Sequence, residues 1–477
     1  MPWTPTPTSR TPTLGAPCSP NCVSSCEEAL MNPSLHRLFW RLHFWAGLVS
    51  APIVVFAALT GLLYALSPQI EARLHGQLDH VTVPANASSA RAPLDQQVAA
   101  ALADHPGEAL RFVVPAHGPT DSTQVYLRAP HEHHHAQGGQ GGHDHGLPTG
   151  SIVYVDPYTA QVLGQLPELQ RFKTWSKKLH SSALQGDGWR WLIELGACWM
   201  LVLLATGLAL WWPQPQARGG PGWRALLPRR GRGRLTWRDL HASVAIVFGL
   251  LTATVLVTGL TWAQHSGDNF RAAQQALGQA APSAPKGLRS QVAAGQAPLS
   301  WQAVHERVRA SAPDISLQLT PPAGSEGVWR AENFDRSQPA KRFVSVIDAY
   351  SGQTLFSSGW KQLPALGKAT AVGIPFHRGE FGVWNQALLV LVALAAVFSV
   401  VSGLVMWWLR RPRGALAAPA LNRRAVRQLP TRLWWWLLPL AVGLSLALPV
   451  FGWSLALFTG LEALRLAFEA RPAKASS

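Results

Sequence analysis

Long apolar runs dominate the hydrophobic pattern of this chain, at about residues 42–66, 189–212, 242–263, 385–408 and 433–460. Each is long enough to cross a bilayer as a helix, which takes about 20 residues at 1.5 Å rise each. A lone strand would leave its backbone polar groups unpaired in hydrocarbon. With their flanks the runs predict spans at 36–66, 189–212, 242–263, 385–408 and 433–464. Pro439 and Pro449 predict a kink in the last, which is too short for two full crossings. Between the runs the pattern changes. Residues 152–161 and 344–353 each read as a β-branched strand, an Asp-led turn and a return strand. Helix-like segments at 94–105 and 299–312 precede strand-like runs at 112–114 and 317–319. The expected fold is a polytopic α-helical membrane protein with two tandem span–external α/β domain–span repeats (domains 67–188 and 264–384) and a fifth, C-terminal span.

Charge sets the orientation. The chain carries 41 Lys+Arg against 25 Asp+Glu, a formal charge of +16, but only 14% of its 477 residues are charged, against roughly 25% in an average soluble chain. That density excludes a soluble globule and a basic nucleic-acid-binding surface. The 22 Trp against 5 Tyr fit membrane–water interfaces. Arg218, Arg224, Arg229, Arg230, Arg232, Arg234 and Arg238 crowd the loop 213–241, and Arg410, Arg411, Arg413, Arg423, Arg424, Arg427 and Arg432 border or fill 409–432. Arg-rich short loops stay cytoplasmic, so the N-terminus lies inside and 67–188 and 264–384 lie outside. The Pro/Thr-rich leader 1–35 holds Cys18, Cys22 and Cys26 and lacks an apolar core; 465–477 is a tail.

An internal repeat points to the chemistry. Leu42-His43 is followed by Thr60-Gly61-Leu62, and Leu240-His241 by Thr258-Gly259-Leu260, with 18 residues from His to Gly in both. Leu179-His180 precedes Thr206-Gly207-Leu208, and Phe376-His377 precedes Ser402-Gly403-Leu404, at 27 and 26 residues. Two halves of like orientation imply a pseudo-twofold along the membrane normal, with function at their interface.

Histidine at a span is costly and marks function. His43 and His241 start their spans on the inner side; His180 and His377 precede theirs on the outer side. The pseudo-twofold would bring each equivalent pair together. Two facing imidazoles are what a six-coordinate b-type heme requires, and without C-x-x-C-H its attachment would be non-covalent. Two hemes are therefore expected, on His43/His241 and His180/His377, although the sequence leaves other pairings of the four open. His36 and His265 are possible substitutes. The small-residue triplets would let a macrocycle or a helix approach closely. For one histidine, snorkelling to the interface would be the better reading; four in duplicated register favour ligation.

His131, His133, His134, His135, His143 and His145 form a Gly-interleaved cluster at 131–146 on the outer side, suited to Zn, Cu or Ni or dispensable as a low-complexity insertion. Walker A, G-x-S-x-G and nucleotide-binding fingerprints are absent from the sequence. Glu194 is the main ionisable residue within a span, and Cys198 reads as a small buried side chain.

At these residues the sequence resembles the PepSY-associated transmembrane, or iron-regulated membrane protein, family. The matching features are Leu42-His43…Thr60-Gly61-Leu62, Leu179-His180 before Gly186 and Trp189, Leu240-His241…Thr258-Gly259-Leu260, and the strand–Asp–turn signature at Asp156 and Asp348. They cover about residues 36–410. The resemblance implies a bacterial inner-membrane heme protein that reduces ferric siderophore in the periplasm and releases Fe(II). It implies that His43, His180, His241 and His377 are the heme ligands. The electron donor would be a quinol or a cytoplasmic flavoprotein. Two rival readings are a redox-inactive permease for the chelate or its metal, and a PepSY-type regulator of periplasmic peptidases.

Overall fold

A computed structural model of the chain describes residues 33–85, 90–128, 147–212, 226–228, 233–292, 295–412, 418–419 and 426–468. The chain enters through a 33-residue helix, α1 (Pro33–Ala65), and the short helices α2 (Ser67–Leu74) and α3 (Gly76–Asp79). Helix α4 (Leu94–Ala103) and strands β1 (Ala109–Val114), β2 (Thr123–Arg128), β3 (Ser151–Val155) and β4 (Val162–Pro167) follow, and α5 (Phe172–Ser182) leads into α6 (Arg190–Trp211). The second half starts with α7 (Arg234–Leu260), α8 (His265–Ala276) and α9 (Trp301–Ser311). Strands β5 (Leu317–Thr320), β6 (Val328–Asn333), β7 (Phe343–Asp348) and β8 (Thr354–Gly359) precede α10 (Ala365–His377), α11 (Val383–Arg410), α12 (Thr431–Ala447) and α13 (Pro449–Phe468).

Five segments are long and apolar enough to cross a membrane: Pro33–Ala65, Asp187–Trp211, Arg234–Leu260, Val383–Arg410 and Pro449–Phe468. Four of them form a bundle in which α1 packs on α6 and α11, and α7 packs on α11 and α6. Helices α1 and α7 therefore stand on a diagonal, with the bundle's centre between them. That centre is where the candidate site lies.

The segments 67–188 and 264–384, expected as separate α/β domains, share one eight-stranded antiparallel sheet of order β4-β3-β2-β1-β5-β6-β7-β8. The junction is β1 with β5, where Val113 pairs with Leu319. Left apart, β1 and β5 would each be an open edge with unpaired N–H and C=O groups; pairing removes both edges. A single core follows, with Leu94, Val98, Val304 and Val308 of α4 and α9 packed on Val113, Val125, Leu317 and Leu319 of the sheet. The two helices also cap each other. Asp95 accepts the N–H groups of Trp301 and Gln302, while the Gln302 side chain accepts the N–H of Leu94. The sheet is tied to the bundle by Arg171, which bonds Glu71 at 2.6 Å, Asp79 at 2.8 Å and the Tyr154 hydroxyl at 3.0 Å.

The segment 433–464 differs from the single kinked span expected of it. It is two helices, α12 and α13, that break at Leu448, because Pro449 cannot donate an N–H and pushes the residue before it out of the helical region. The pair turns back on itself. Gln428, ahead of α12, bonds Ser34 at the start of α1; Leu446 O accepts from Asn269 of α8 at the opposite end; and Glu462 of α13 is back beside Arg41. Many of the expected loop arginines, among them Arg218, Arg224, Arg229, Arg230, Arg232, Arg413, Arg423 and Arg424, lie outside the described residues.

Candidate cofactor site

The four repeat histidines meet in two pairs. His43 of α1 and His241 of α7 stand with ring centroids 6.3 Å apart and planes at 84°. His180 of α5 and His377, the last residue of α10, stand 6.5 Å apart at 45°. The pairs sit at opposite ends of the bundle: 18 residues of α1 separate His43 from Gly61, which lies against His180, about 27 Å of helix.

Each ring is held through Nδ1 by a different helix. His43 bonds Thr206 Oγ1 at 2.9 Å, His180 bonds Thr60 Oγ1 at 3.0 Å, His241 bonds Ser402 Oγ at 2.9 Å and His377 bonds Val255 O at 2.8 Å. The three hydroxyls donate their own protons back along their helices, Thr206 to Val202 O, Thr60 to Phe56 O and Ser402 to Phe398 O, each at 2.7 Å. A hydroxyl so committed can only accept, as can a carbonyl. Nδ1 therefore carries the ring proton in all four, which makes Nε2 the lone-pair nitrogen whenever the imidazole is neutral. An imidazole with its outer N–H fixed by a second acceptor is the form that ligates a metal.

The triplet glycines seat these rings. A Cβ built on Gly207 would lie 3.3 Å from His43 Cε1, one on Gly61 3.3 Å from His180 Cε1, one on Gly259 2.7 Å from His377 Cε1 and one on Gly403 3.9 Å from His241 Cε1. The close approach that these triplets predict is thus made by a histidine of a neighbouring helix in every case.

Each pair faces a mostly apolar cavity, about 490 Å³ at the arginine-rich end and about 200 Å³ at the sheet end. Val54, Met200, Thr252 and Ala396, one residue from each of the four bundle helices, line both. Among the described residues no three His, Cys, Asp or Glu side chains converge as a metal-ligand set. The imidazoles come in twos across a slot, unlike the threes and fours of zinc centres.

The region carrying all four histidines coincides with a known one: the profile of the PepSY-associated TM region matches residues 40–410. The chain belongs to that family. No curated protein matches it. Within the PepSY-associated region lie both histidine pairs, the triplets and the whole sheet, whereas α12 and α13 lie beyond it.

Other residues of the PepSY-associated region have structural work. Asp156 Oδ1 accepts from Tyr158 N and Thr159 N, and Asp348 Oδ1 from Tyr350 N and Ser351 N, so the signature aspartates close equivalent turns. Glu194, only 1% exposed, receives the N–H groups of His265 and Ser266 at the start of α8. Its charge is therefore committed to a helix N-terminus, and His265 belongs to that cap. His36 lines the cavity of His43 and His241. Cys198 is buried and free. His131, His133, His134, His135, His143 and His145 lie outside the described residues.

The sequence reading missed the Nδ1 acceptors and the cations around the sheet-end pair. Lys177, Arg190 and Arg378 line that cavity, and Arg378 also bonds Tyr64 and Glu380. Burial, then the neighbouring Arg378 and Lys178, pushes the Lys177 ammonium down to about 8. The signal was proximity: Lys177 lies three residues before His180, and Arg378 directly follows His377.

Proposed function

We propose that this chain is a heme b protein of the bacterial inner membrane that carries electrons across the bilayer and reduces a ferric chelate, such as a ferric siderophore, on the side of the sheet. His43 with His241, and His180 with His377, would hold one heme each. In this reading the arginine-rich end is cytoplasmic and receives electrons from a quinol or flavoprotein, and the sheet is periplasmic.

The observation that carries the reading is the geometry of the two histidine pairs. Two imidazoles on opposite sides of one iron, each through a bond of about 2 Å, put their ring centres about 6 Å apart. The observed separations are 6.3 and 6.5 Å. Ring-on-ring packing alone spans the same distance. Packing does not call for a cavity beside each pair, or for the close glycine approach repeated at Gly61, Gly207 and Gly259.

Heme b, when bound, supplies one-electron iron chemistry. The protein's own part is positional. Thr206, Thr60, Ser402 and the Val255 carbonyl fix the tautomer and rotation of each ring, which keeps Nε2 basic and aimed. The apolar walls exclude water, and the four-residue layer of Val54, Met200, Thr252 and Ala396 keeps the two cavities adjacent but distinct. The commitment of Glu194 to α8 removes the ionisable group that a permease reading would use. The test is a spectrum of the purified protein with and without dithionite. A sharp Soret band and split α/β bands on reduction support the proposal. A colourless preparation that transports labelled chelate into proteoliposomes refutes it.

A further inference from the structure

The sheet-end cavity is apolar, yet its lining carries an excess of positive charge. Its ionised lining residues are Lys177, Arg190, Arg378 and Glu194, three cations and one acid. The acid is committed to two backbone N–H groups of α8. Arg378 already has Glu380, at 2.9 Å. Lys177 has no hydrogen bond or ion pair among the described residues, and it stands one turn before His180 on α5, on the same helix face. A largely desolvated ammonium without a counterion is costly. A ligand that brings negative charge to the cavity offsets that cost.

We propose that Lys177 binds a propionate carboxylate of the porphyrin held by His180 and His377, with Arg190 and Arg378 flanking it. This rests on the heme reading of the same cavity and adds the orientation of the ligand: its carboxylate edge lies on the Lys177 side, its hydrocarbon edge against Val54, Met200, Thr252 and Ala396. A heme b carries two carboxylates, and the lining holds three cations against one acid, with Arg378 also paired to Glu380 beyond it. The arginine-rich cavity has the same balance, Arg234, Arg238 and Arg410 against Asp239, which pairs with Arg238.

The test is redox potentiometry of the full-length protein in detergent, with heme content measured in parallel, on wild type, Lys177→Met and Lys177→Arg. Loss of a cation beside the heme disfavours the ferrous form. One of the two heme components of Lys177→Met is therefore expected to titrate at a lower potential, by at least a threefold change in its ferrous-to-ferric ratio, and Lys177→Arg to restore it. A purely structural lysine would lower heme content and leave the potentials alone. Where Lys177→Met does not fold, wild type stripped of heme is reconstituted with heme b and with its dimethyl ester, and the ester is expected to bind at least tenfold more weakly. Unchanged potentials with full heme content, or equal binding of ester and acid, overturn the role of Lys177 and leave the heme reading standing. So does a Lys177→Met variant whose only defect is weaker ferric-chelate binding, because the ammonium would then serve the substrate. Wild type that takes up neither porphyrin overturns both.

Discussion

Gly259 lies so close under His377 that a Cβ on it would come within 2.7 Å of the ring's Cε1. Gly403 leaves 3.9 Å under His241. Alanine at the two positions should therefore differ. Gly259→Ala forces the ring or α7 to move, at about 1–3 kcal/mol for overpacking, and should remove the heme of the sheet-end pair. Gly403→Ala should leave heme content and melting temperature near wild type. Heme quantification with thermal melts decides it, and equal behaviour of the two variants would contradict the seating role.

The hydroxyl acceptors make a second series. Thr206→Val keeps the shape but leaves His43 Nδ1–H unpaired, which costs about 1–3 kcal/mol and about 10–100-fold in metal affinity. Thr60→Val should act likewise on His180 and Ser402→Ala on His241, while Thr206→Ser retains the bond. Thr258→Val should have little effect, because His377 bonds the Val255 carbonyl instead. Heme dissociation measured by transfer to an acceptor protein checks all five.

Asp95 couples the two halves of the eight-stranded sheet. Its carboxylate holds the first N–H groups of α9, so Asp95→Ala should cost about 0.5–2 kcal/mol, the worth of a helix cap. The expected result is a lower melting temperature with an unchanged heme spectrum. A lost heme would show that the sheet junction supports the membrane site directly.

His305 gives the sheet domain a pH dependence. Burial, then Arg309 and Arg91, lowers its pKa to about 4 from 6.5, and its Nε2 is buried without a hydrogen bond. The folded state thus binds fewer protons than the unfolded state between these values, so stability is present above pH 6.5 and falls as the pH drops towards 4. His305→Gln, which does not titrate, should melt with a shallower pH dependence over that window. Parallel curves for wild type and variant would contradict this.

Much of the candidate site was legible because the sequence carries its signals twice: His43 and His241 share their spacing to glycine, and one coincidence at a helix end would have carried little weight. The role of each glycine was half legible. A small residue announces a close approach but does not name the visitor, and His180 reaches Gly61 from 119 residues away along the chain. The joining of β1 to β5 was hidden for a similar reason: a strand's pattern shows which face is buried but not what pairs with its edge. Pro449 was visible as a kink, but that α13 turns back depends on contacts such as that of Glu462 with Arg41. Lys177 was missed, since burial of an ammonium leaves no mark in sequence.

The most direct test of the central claim is heme counting by pyridine hemochrome on wild type and on His43→Ala, His180→Ala, His241→Ala and His377→Ala. The account predicts about two hemes per wild-type chain and the loss of about one in each variant. It also predicts that His43→Ala and His241→Ala share one residual spectrum and His180→Ala and His377→Ala another. Full heme content with unchanged spectra in all four variants would contradict it.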